Sequence, residues 1–149
     1  MIVRRPCVDE LGGLSDLCLR SKAVWGYDQA FLEACRRELS LGRRDLEETL
    51  VAVAEQNGEI VGVVQVKVSS GEAELLKLFI EPHALRNGTG RMLFAWAAEV
   101  SRNEGATRMV IEADPDAAPF YSKLGARATG EVPSGSIPGR LLPRLTFDL

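Results

Sequence analysis

Hydrophobic residues recur at helical spacing in the first third of the chain. A helix is predicted from a cap at Asp9 to about Arg20, because its apolar positions fall on one face. A second helix is predicted from an N-cap at Asp28 to Gly42. Its apolar face consists of Phe31, Leu32, Cys35 and Leu39. The short apolar run 2–5 before both helices predicts a strand.

From Thr49 onward the pattern changes from the helical period to that of strands. Apolar, β-branched segments predict three strands over 49–54, 60–68 and 73–80. The dipeptide Asn57-Gly58 predicts a two-residue hairpin turn between the first two strands.

The second half of the chain alternates helices and strands. Helices are predicted over 90–104 and 117–124, and strands over 107–113, 127–132 and 144–149. The segment 133–140 is too rich in proline, glycine and serine for regular structure. The order βαα-βββ-α-β-α-ββ predicts an α/β protein with a mixed sheet and helices on both faces.

Composition narrows the function classes. A chain of 149 residues that is 46% hydrophobic and 26% charged is typical of one globular domain. The net charge of −3 argues against a nucleic-acid binder. One histidine and three cysteines without ligand spacing predict no metal site. No apolar run is long enough to cross a membrane, and residues 1–6 lack a signal-peptide core, so we expect a cytoplasmic protein.

The segment 79–93 predicts a strand, a glycine loop and a helix in succession. The first N–H groups of a helix lack intrahelical partners, so a loop of this kind suits an anion. Arg86 and Arg91 flank the glycines and would add charge. The alternative is a tight turn whose glycines serve only geometry. The third glycine of a dinucleotide fingerprint is absent, because Leu93 stands there, and no Gly-Lys-Ser/Thr of a P-loop is present.

Two motifs resemble the GNAT superfamily of N-acetyltransferases. The run 86–93 after Pro82 is similar to the family's acetyl-CoA loop. The segment 117–126 is similar to its Ala-x-x-Phe-Tyr-x-x-x-Gly-Phe motif. The resemblance implies a single GNAT domain over 1–149, with a mostly antiparallel sheet of six to seven strands.

The resemblance implies acetyl-CoA as the cosubstrate and no metal. The residues expected to bind the cofactor are Leu78, Phe79, Ile80, Arg86, Asn87, Gly88, Thr89, Gly90, Arg91, Asp114 and Tyr121. Two positions depart from the family pattern. Leu85 stands where the loop usually begins with Gln or Arg, and Asp114 replaces an Asn that touches the pantetheine arm.

The resemblance also implies direct attack of an amine on the acetyl thioester. Tyr121 matches the family's tyrosine and is expected to protonate the departing CoA thiolate. Glu74 is the first candidate for a general base, on the expectation that it shares a strand face with Leu76, Leu78 and Ile80; the alternative is a surface glutamate. Glu112 is a second candidate, and water alone is a third alternative.

Two irregular segments are expected to rim the acceptor groove, 20–27 and 133–143. Trp25 and Tyr27 would form an aromatic wall, or would simply anchor the helix junction. Arg20, Lys22 and Arg140 would hold a carboxylate of the acceptor. These cations favour a small amine that also bears an acidic group, over a protein N-terminus or lysine.

Other functions stay open at this point. A non-catalytic acyl-CoA-binding or regulatory module is the main alternative, and an interaction domain without a cofactor is a third. A homodimer, formed through a strand edge or through the arm 133–143, is neither required nor excluded. No partner among nucleic acids or membranes is expected.

Overall fold

The computed structural model describes all 149 residues. The strands are β1 Ile2–Arg4, β2 Leu50–Gln56, β3 Glu59–Ser69, β4 Glu72–Ile80, β5 Arg108–Glu112, β6 Arg127–Pro133 and β7 Leu141–Asp148. The helices are α1 Leu11–Ala23, α2 Gln29–Leu39, α3 Arg43–Glu48, α4 Thr89–Asn103 and α5 Ala118–Lys123. None of the helices has the length and apolar character needed to cross a bilayer.

The strands form one seven-stranded sheet in the order β1-β2-β3-β4-β5-β7-β6. Strands β4 and β5 pair in parallel, and every other neighbouring pair is antiparallel. The parallel pair is connected through α4, which gives the crossover that parallel strands need. The predicted fold class, a mixed and mostly antiparallel sheet with helices on both faces, is confirmed.

Each face of the sheet has its own hydrophobic core. On one face α4 packs Leu93 and Ala97 against the sheet, and both side chains are fully buried. On the other face α1 and α2 pack against β2 and β3, with Leu14 and Leu17 almost completely buried. Burial of a leucine contributes about 1.5–3 kcal/mol, so the helical spacing of the leucines holds α1 in place.

Two elements differ from the prediction. Helix α3 was not expected, because Leu46 is its one apolar residue and no periodicity is visible in so short a segment. Asp45 caps it by accepting from the Gly42 N–H at 2.8 Å. Strand β7 begins at Leu141 rather than at residue 144, and it accommodates Pro143 because that residue contributes a carbonyl, which accepts from the Ala113 N–H.

A β-bulge in β4 changes which side chains share a face. Gln65 pairs with Lys77 and Val66 pairs with Leu75, so Leu76 is the extra residue. Before the bulge Ala73 and Leu75 face α4; after it Ile80 does. Glu74 therefore lies on the face opposite Ile80. The expectation that Glu74 shares a face with Leu78 and Ile80 is wrong, because an inserted residue shifts a two-residue period by one.

Candidate active site

Strands β4 and β5 diverge and open a cleft in the sheet. Their parallel pairing runs from Glu72–Arg108 to Leu75–Ile111 and then stops, while β4 continues to Ile80. The cleft between them has a volume of about 620 Å³ and runs from the glycine loop to the rim formed by segment 134–142. Its walls therefore include unpaired backbone.

The free edge of β4 offers a backbone donor to a ligand. The Glu81 N–H donates to Val61 O in β3 at 2.8 Å, and successive main-chain groups of a strand point in alternate directions. The N–H groups of Leu78 and Ile80 accordingly point away from β3. The Ile80 N–H already donates to Ser21 Oγ at 3.2 Å, which leaves the Leu78 N–H as the free donor in the cleft.

The N-terminus of α4 forms one end of the cleft. Gly88 is its cap, with φ of 88°, and Asn87 Oδ1 accepts from the Thr89 N–H at 3.3 Å. The first intrahelical bond runs from the Met92 N–H to Gly88 O, so the N–H groups of Gly90 and Arg91 have no intrahelical partner. Arg86, with φ of 67°, and Arg91 both line the cleft. Unpaired N–H groups beside two guanidinium groups suit a phosphate ligand.

Asn87 and Thr89 do not line the cleft with their side chains. Thr89 Oγ1 donates to Asn87 Oδ1, and the Thr89 side chain is almost fully buried. Their part in the loop is to hold its shape. Gly90 is needed for packing, because a Cβ at this position would lie 3.1 Å from the ring of Phe120. That contact ties α4 to α5.

Tyr121 of α5 is buried and borders the cleft. It is 7% exposed, and its ring packs beside Phe94 and Phe120 with centroids at 6.0 and 5.2 Å. Burial, with the nearby carboxylate of Asp114 as a second cause, raises the pKa of the Tyr121 phenol well above its usual range. The hydroxyl therefore carries its proton at neutral pH and faces the cleft as a donor.

Asp114 follows β5 and binds two cations. Its carboxylate accepts from Lys22 Nζ at 3.0 Å and from Arg140 Nη2 at 3.2 Å, and the Tyr27 hydroxyl donates to it at 3.3 Å. The side chains of Lys22 and Asp114 are each 10% exposed. Within this cluster two positive charges share one negative charge, and three further acidic side chains line the same cleft.

Two stacked aromatic rings support the cations. Tyr27 and Phe31 stack with centroids 4.0 Å apart. The Arg140 guanidinium lies 4.8 Å from the centroid of Phe31, and Lys22 Nζ lies 5.5 Å from that of Tyr27, both within cation–π range. Tyr27 thus serves as a platform for Lys22 and Arg140 rather than as a wall of the cleft.

Two predicted site residues, Arg20 and Glu74, lie outside the cleft. Arg20 is 53% exposed and pairs with Glu81 at 2.9 Å outside the cleft, so it is not part of an acceptor rim. Glu74 is exposed, pairs in register with Lys67 and does not line the cleft. Trp25 does line the cleft, and it is 42% exposed. Glu112, the second base candidate, also lines it.

The half of the cleft that is distant from the glycine loop is lined by residues that were not predicted as site residues. Cys35 and Glu38 of α2, Lys77 of β4 and Ser136 of the loop 134–140 line it together. Glu38 accepts a hydrogen bond from the Ser136 hydroxyl, which fastens the loop to α2. A lysine between the two leucines of β4 is visible in the sequence as an unusual residue for a buried strand. The bulge is not visible there, and it decides on which face of β4 the lysine lies.

The chemistry of the cleft indicates the kind of ligand that it can bind. A free strand edge, a helix N-terminus with two arginines, and a buried phenol together suit a long ligand with a phosphate end and a reactive end. No group of three His, Cys, Asp or Glu side chains is placed to hold a metal ion.

Comparison with known proteins gives the family. The model of the acetyltransferase (GNAT) domain matches residues 14–134. This chain belongs to the GNAT acetyltransferase family.

Solved structures share the whole fold. One is the PaiA N-acetyltransferase of Thermoplasma acidophilum in complex with coenzyme A, with 17% identity, a TM-score of 0.81, and 99% of this chain and 98% of that chain covered. Another is an aminoglycoside 6′-N-acetyltransferase complexed with coenzyme A, with 18% identity, a TM-score of 0.76 and coverage of 99% and 97%. A third is the ribosomal-protein-alanine N-acetyltransferase of Brucella melitensis, with 22% identity, a TM-score of 0.70 and 100% of each chain covered.

Proposed function

We propose that this protein moves an acetyl group from acetyl-CoA to an amine acceptor by direct attack of the amine on the thioester. One observation carries the proposal: a single cleft joins the glycine loop, the free edge of β4, Tyr121 and the charged rim around Arg140. A donor and an acceptor entering from opposite ends would meet beside Tyr121. Residues 1–149 act as one acetyltransferase domain in this proposal.

The cofactor half of the cleft binds through backbone and arginine groups. The N–H groups of Gly90 and Arg91 and the side chains of Arg86 and Arg91 are suited to the phosphates. The Leu78 N–H is suited to the pantetheine arm, which would extend the sheet as an added strand. Acetyl-CoA supplies the activated acetyl group and a thiol leaving group.

Tyr121 serves as the proton donor to the departing sulfur. A thiol has a pKa of about 8.5, so the thiolate leaves more readily when a proton is delivered to it. The Tyr121 phenol carries its proton at neutral pH, so it has a proton to donate as negative charge develops on sulfur. No hydrogen bond within the chain holds the Tyr121 hydroxyl, which leaves it free to turn to the sulfur.

The acceptor is proposed to be a small amine with an acidic group. Lys22 and Arg140 share the one carboxylate of Asp114, and the remaining positive charge would attract an anionic group of the acceptor. Arg20 does not contribute to this acceptor site, because it pairs with Glu81 outside the cleft. The similar structures include enzymes named for aminoglycosides and for ribosomal-protein alanine, so the acceptor depends on these rim residues and not on the fold.

Thermal denaturation with and without acetyl-CoA tests the proposal, with free CoA and ATP as comparison ligands. Ligand at about 100 times its dissociation constant stabilises the folded state by about 2.7 kcal/mol, which is a clear rise in Tm for a chain of this length. A panel of amines with thiol detection then tests transfer. Binding without thiol release for every amine would favour a non-catalytic acyl-CoA module. No rise in Tm at millimolar acetyl-CoA would reject both functions.

A further inference from the structure

Lys77 is a buried amine on the wall of the cleft, and it has no role in cofactor binding or in protonation of the sulfur. It is 9% exposed, and its Nζ donates to Gln65 Oε1 at 3.0 Å. No carboxylate forms an ion pair with it. Because burial without a counter-ion penalises the ammonium form, the pKa of Lys77 is lowered from its usual range. The neutral amine, which has a lone pair, is therefore more accessible here than on a surface lysine.

The charged groups around Lys77 are occupied by other partners. Cys18 of α1 is close, but burial raises the pKa of its thiol to about 12, so it stays neutral. Asp45 of α3 accepts from Gln65 Nε2 and from the Gly42 N–H. Glu38 of α2 accepts from the Ser136 hydroxyl. The two carboxylates still favour the ammonium form electrostatically, and desolvation outweighs them.

Gln65 fixes the position of the amine in either protonation state. Its Nε2 group donates to Asp45 Oδ1 and to Thr49 Oγ1, each at 3.1 Å, so both N–H bonds of the amide are used. The amide oxygen consequently faces Lys77 and can only accept. A neutral amine that gives one N–H to Gln65 keeps its lone pair free for another partner.

The bulge at Leu76 places this amine on the face toward α1 and α2. Cys35 and Glu38 of α2 and Ser136 of the loop 134–140 line the same half of the cleft as Lys77. Without the inserted residue Lys77 would share the face of Ala73 and Leu75, which packs against α4. The bulge thus places a titratable side chain on the acceptor side of the cleft. Glu74 lies on the same face but too far back along the strand to act as a base there.

We propose that Lys77 is the catalytic residue that accepts the proton of the acceptor amine. The acceptor nitrogen forms a bond to the acetyl carbon and loses one N–H proton to the lone pair of Lys77 Nζ. The carbon–sulfur bond breaks, its electron pair goes to sulfur, and sulfur takes the proton of Tyr121. Lys77 then releases its proton to water, and the Tyr121 phenolate takes one proton from water, so both residues return to their starting states.

Two variants at this position separate a base from a fixed positive charge. Lys77→Arg keeps a donor to Gln65 but does not lose its proton at working pH, because arginine has a pKa above 12. Lys77→Met removes both the charge and the base at similar length. We expect kcat to fall about 100-fold or more in each variant, as for loss of a general base, with acetyl-CoA affinity unchanged. Lys67→Met, on the exposed part of the same face, is the matched control.

A pH profile and a direct titration complete the test. The rate of acetyl transfer is measured against pH with two acceptors whose amines differ in pKa. In the wild type the part of the profile that reflects deprotonation of Lys77 stays at the same pH for both acceptors. In Lys77→Arg this part of the profile is lost. Lysine-labelled protein gives the pKa of Lys77 by NMR even without an acceptor, and Lys77→Arg, which removes the Lys77 signal, identifies it among those of Lys22, Lys67 and Lys123. We expect a midpoint below the roughly 10.4 of a free lysine.

The proposal rests on the proposed function, and the two fail differently. A wild-type protein that transfers acetyl to no amine would overturn the function. A working wild type together with a Lys77→Arg variant of equal kcat would overturn only the role of Lys77, and so would an NMR midpoint at or above that of a free lysine. Should Lys77→Met fail to fold, the arginine variant and the NMR midpoint still decide.

Discussion

Lys22 Nζ lies 3.0 Å from Asp114 Oδ2, and this ion pair joins the end of α1 to the chain that follows β5. The two elements stand on opposite sides of the cleft, so the pair fixes the width of its middle section. Arg140 reaches the same carboxylate from the loop before β7. Three segments that are distant in sequence therefore meet at one side chain.

Replacing Asp114 should destabilise the protein more than replacing Lys22. In Asp114→Asn the buried Lys22 and the partly buried Arg140 lose their only carboxylate, which we expect to cost about 3 kcal/mol. In Lys22→Met the carboxylate keeps Arg140, and we expect about 1–2 kcal/mol. Urea unfolding at pH 7 measures both free energies. An Asp114→Asn variant as stable as the wild type would show that the cluster does not hold the cleft together.

Removing the Tyr121 hydroxyl should slow acetyl transfer without weakening cofactor binding. In Tyr121→Phe the ring keeps its packing against Phe94 and Phe120, so the Tm shift caused by acetyl-CoA should equal that of the wild type. We expect kcat to fall about 100-fold, because the thiolate would leave without a proton donor. Unchanged kcat in Tyr121→Phe would remove its role as an acid.

A methyl group at Gly90 should weaken acetyl-CoA binding through Phe120. The new Cβ would lie 3.1 Å from the Phe120 ring, so the ring or the first turn of α4 must move. We expect Gly90→Ala to reduce affinity about tenfold or more and to lower stability by about 1 kcal/mol. Isothermal titration with acetyl-CoA measures the affinity.

The double variant Gly90→Ala/Phe120→Ala provides the check on this cause, since removal of the ring should restore much of the affinity. Gly13→Ala in α1 is the matched control, because a Cβ there meets no atom within 4 Å. It should leave affinity unchanged and should stabilise the helix slightly. Equal affinity in Gly90→Ala and the wild type would contradict the packing argument.

Glu10 should make the stability of the protein depend on acidity. Arg4 donates to its carboxylate at 2.8 Å and holds the pKa of Glu10 at about 2, below its usual value of 4.5. A carboxyl whose pKa is lower in the folded state contributes stability above pH 4.5 and loses it as the pH falls toward 2. Because the pair is partly exposed, the contribution is at most about 1 kcal/mol.

Chemical denaturation of Glu10→Gln and the wild type between pH 2 and 7 measures this. The difference between their unfolding free energies should shrink as the pH falls, and Glu47→Gln, at an exposed glutamate of α3 that forms no ion pair, is the control. A constant difference across the range would contradict the assignment.

The parts of the fold with a clear period could be predicted from the sequence. Helix α4 follows from apolar residues whose spacing matches their burial, strands β2 to β4 follow from their apolar, β-branched runs, and the loop at Gly88 and Gly90 follows from its motif. The base could not be predicted, because a bulge at Leu76 leaves no mark in composition and reverses the faces of the residues around it. Arg20 was misplaced for a related reason: the sequence does not show that Glu81, 61 residues further on, binds it.

The short pairing of β4 with β5 has a consequence for the motion of the protein. Four residue pairs, from Glu72–Arg108 to Leu75–Ile111, carry the hydrogen bonds between the β1–β4 half of the sheet and the β5–β7–β6 half. We expect the two halves of the sheet to move more easily relative to one another here than elsewhere, with the Lys22–Asp114 ion pair holding them together beyond Leu75. A ligand that lies along β4 fills the wedge, so occupancy should stiffen the connection between the two halves and set the angle at which the second substrate enters.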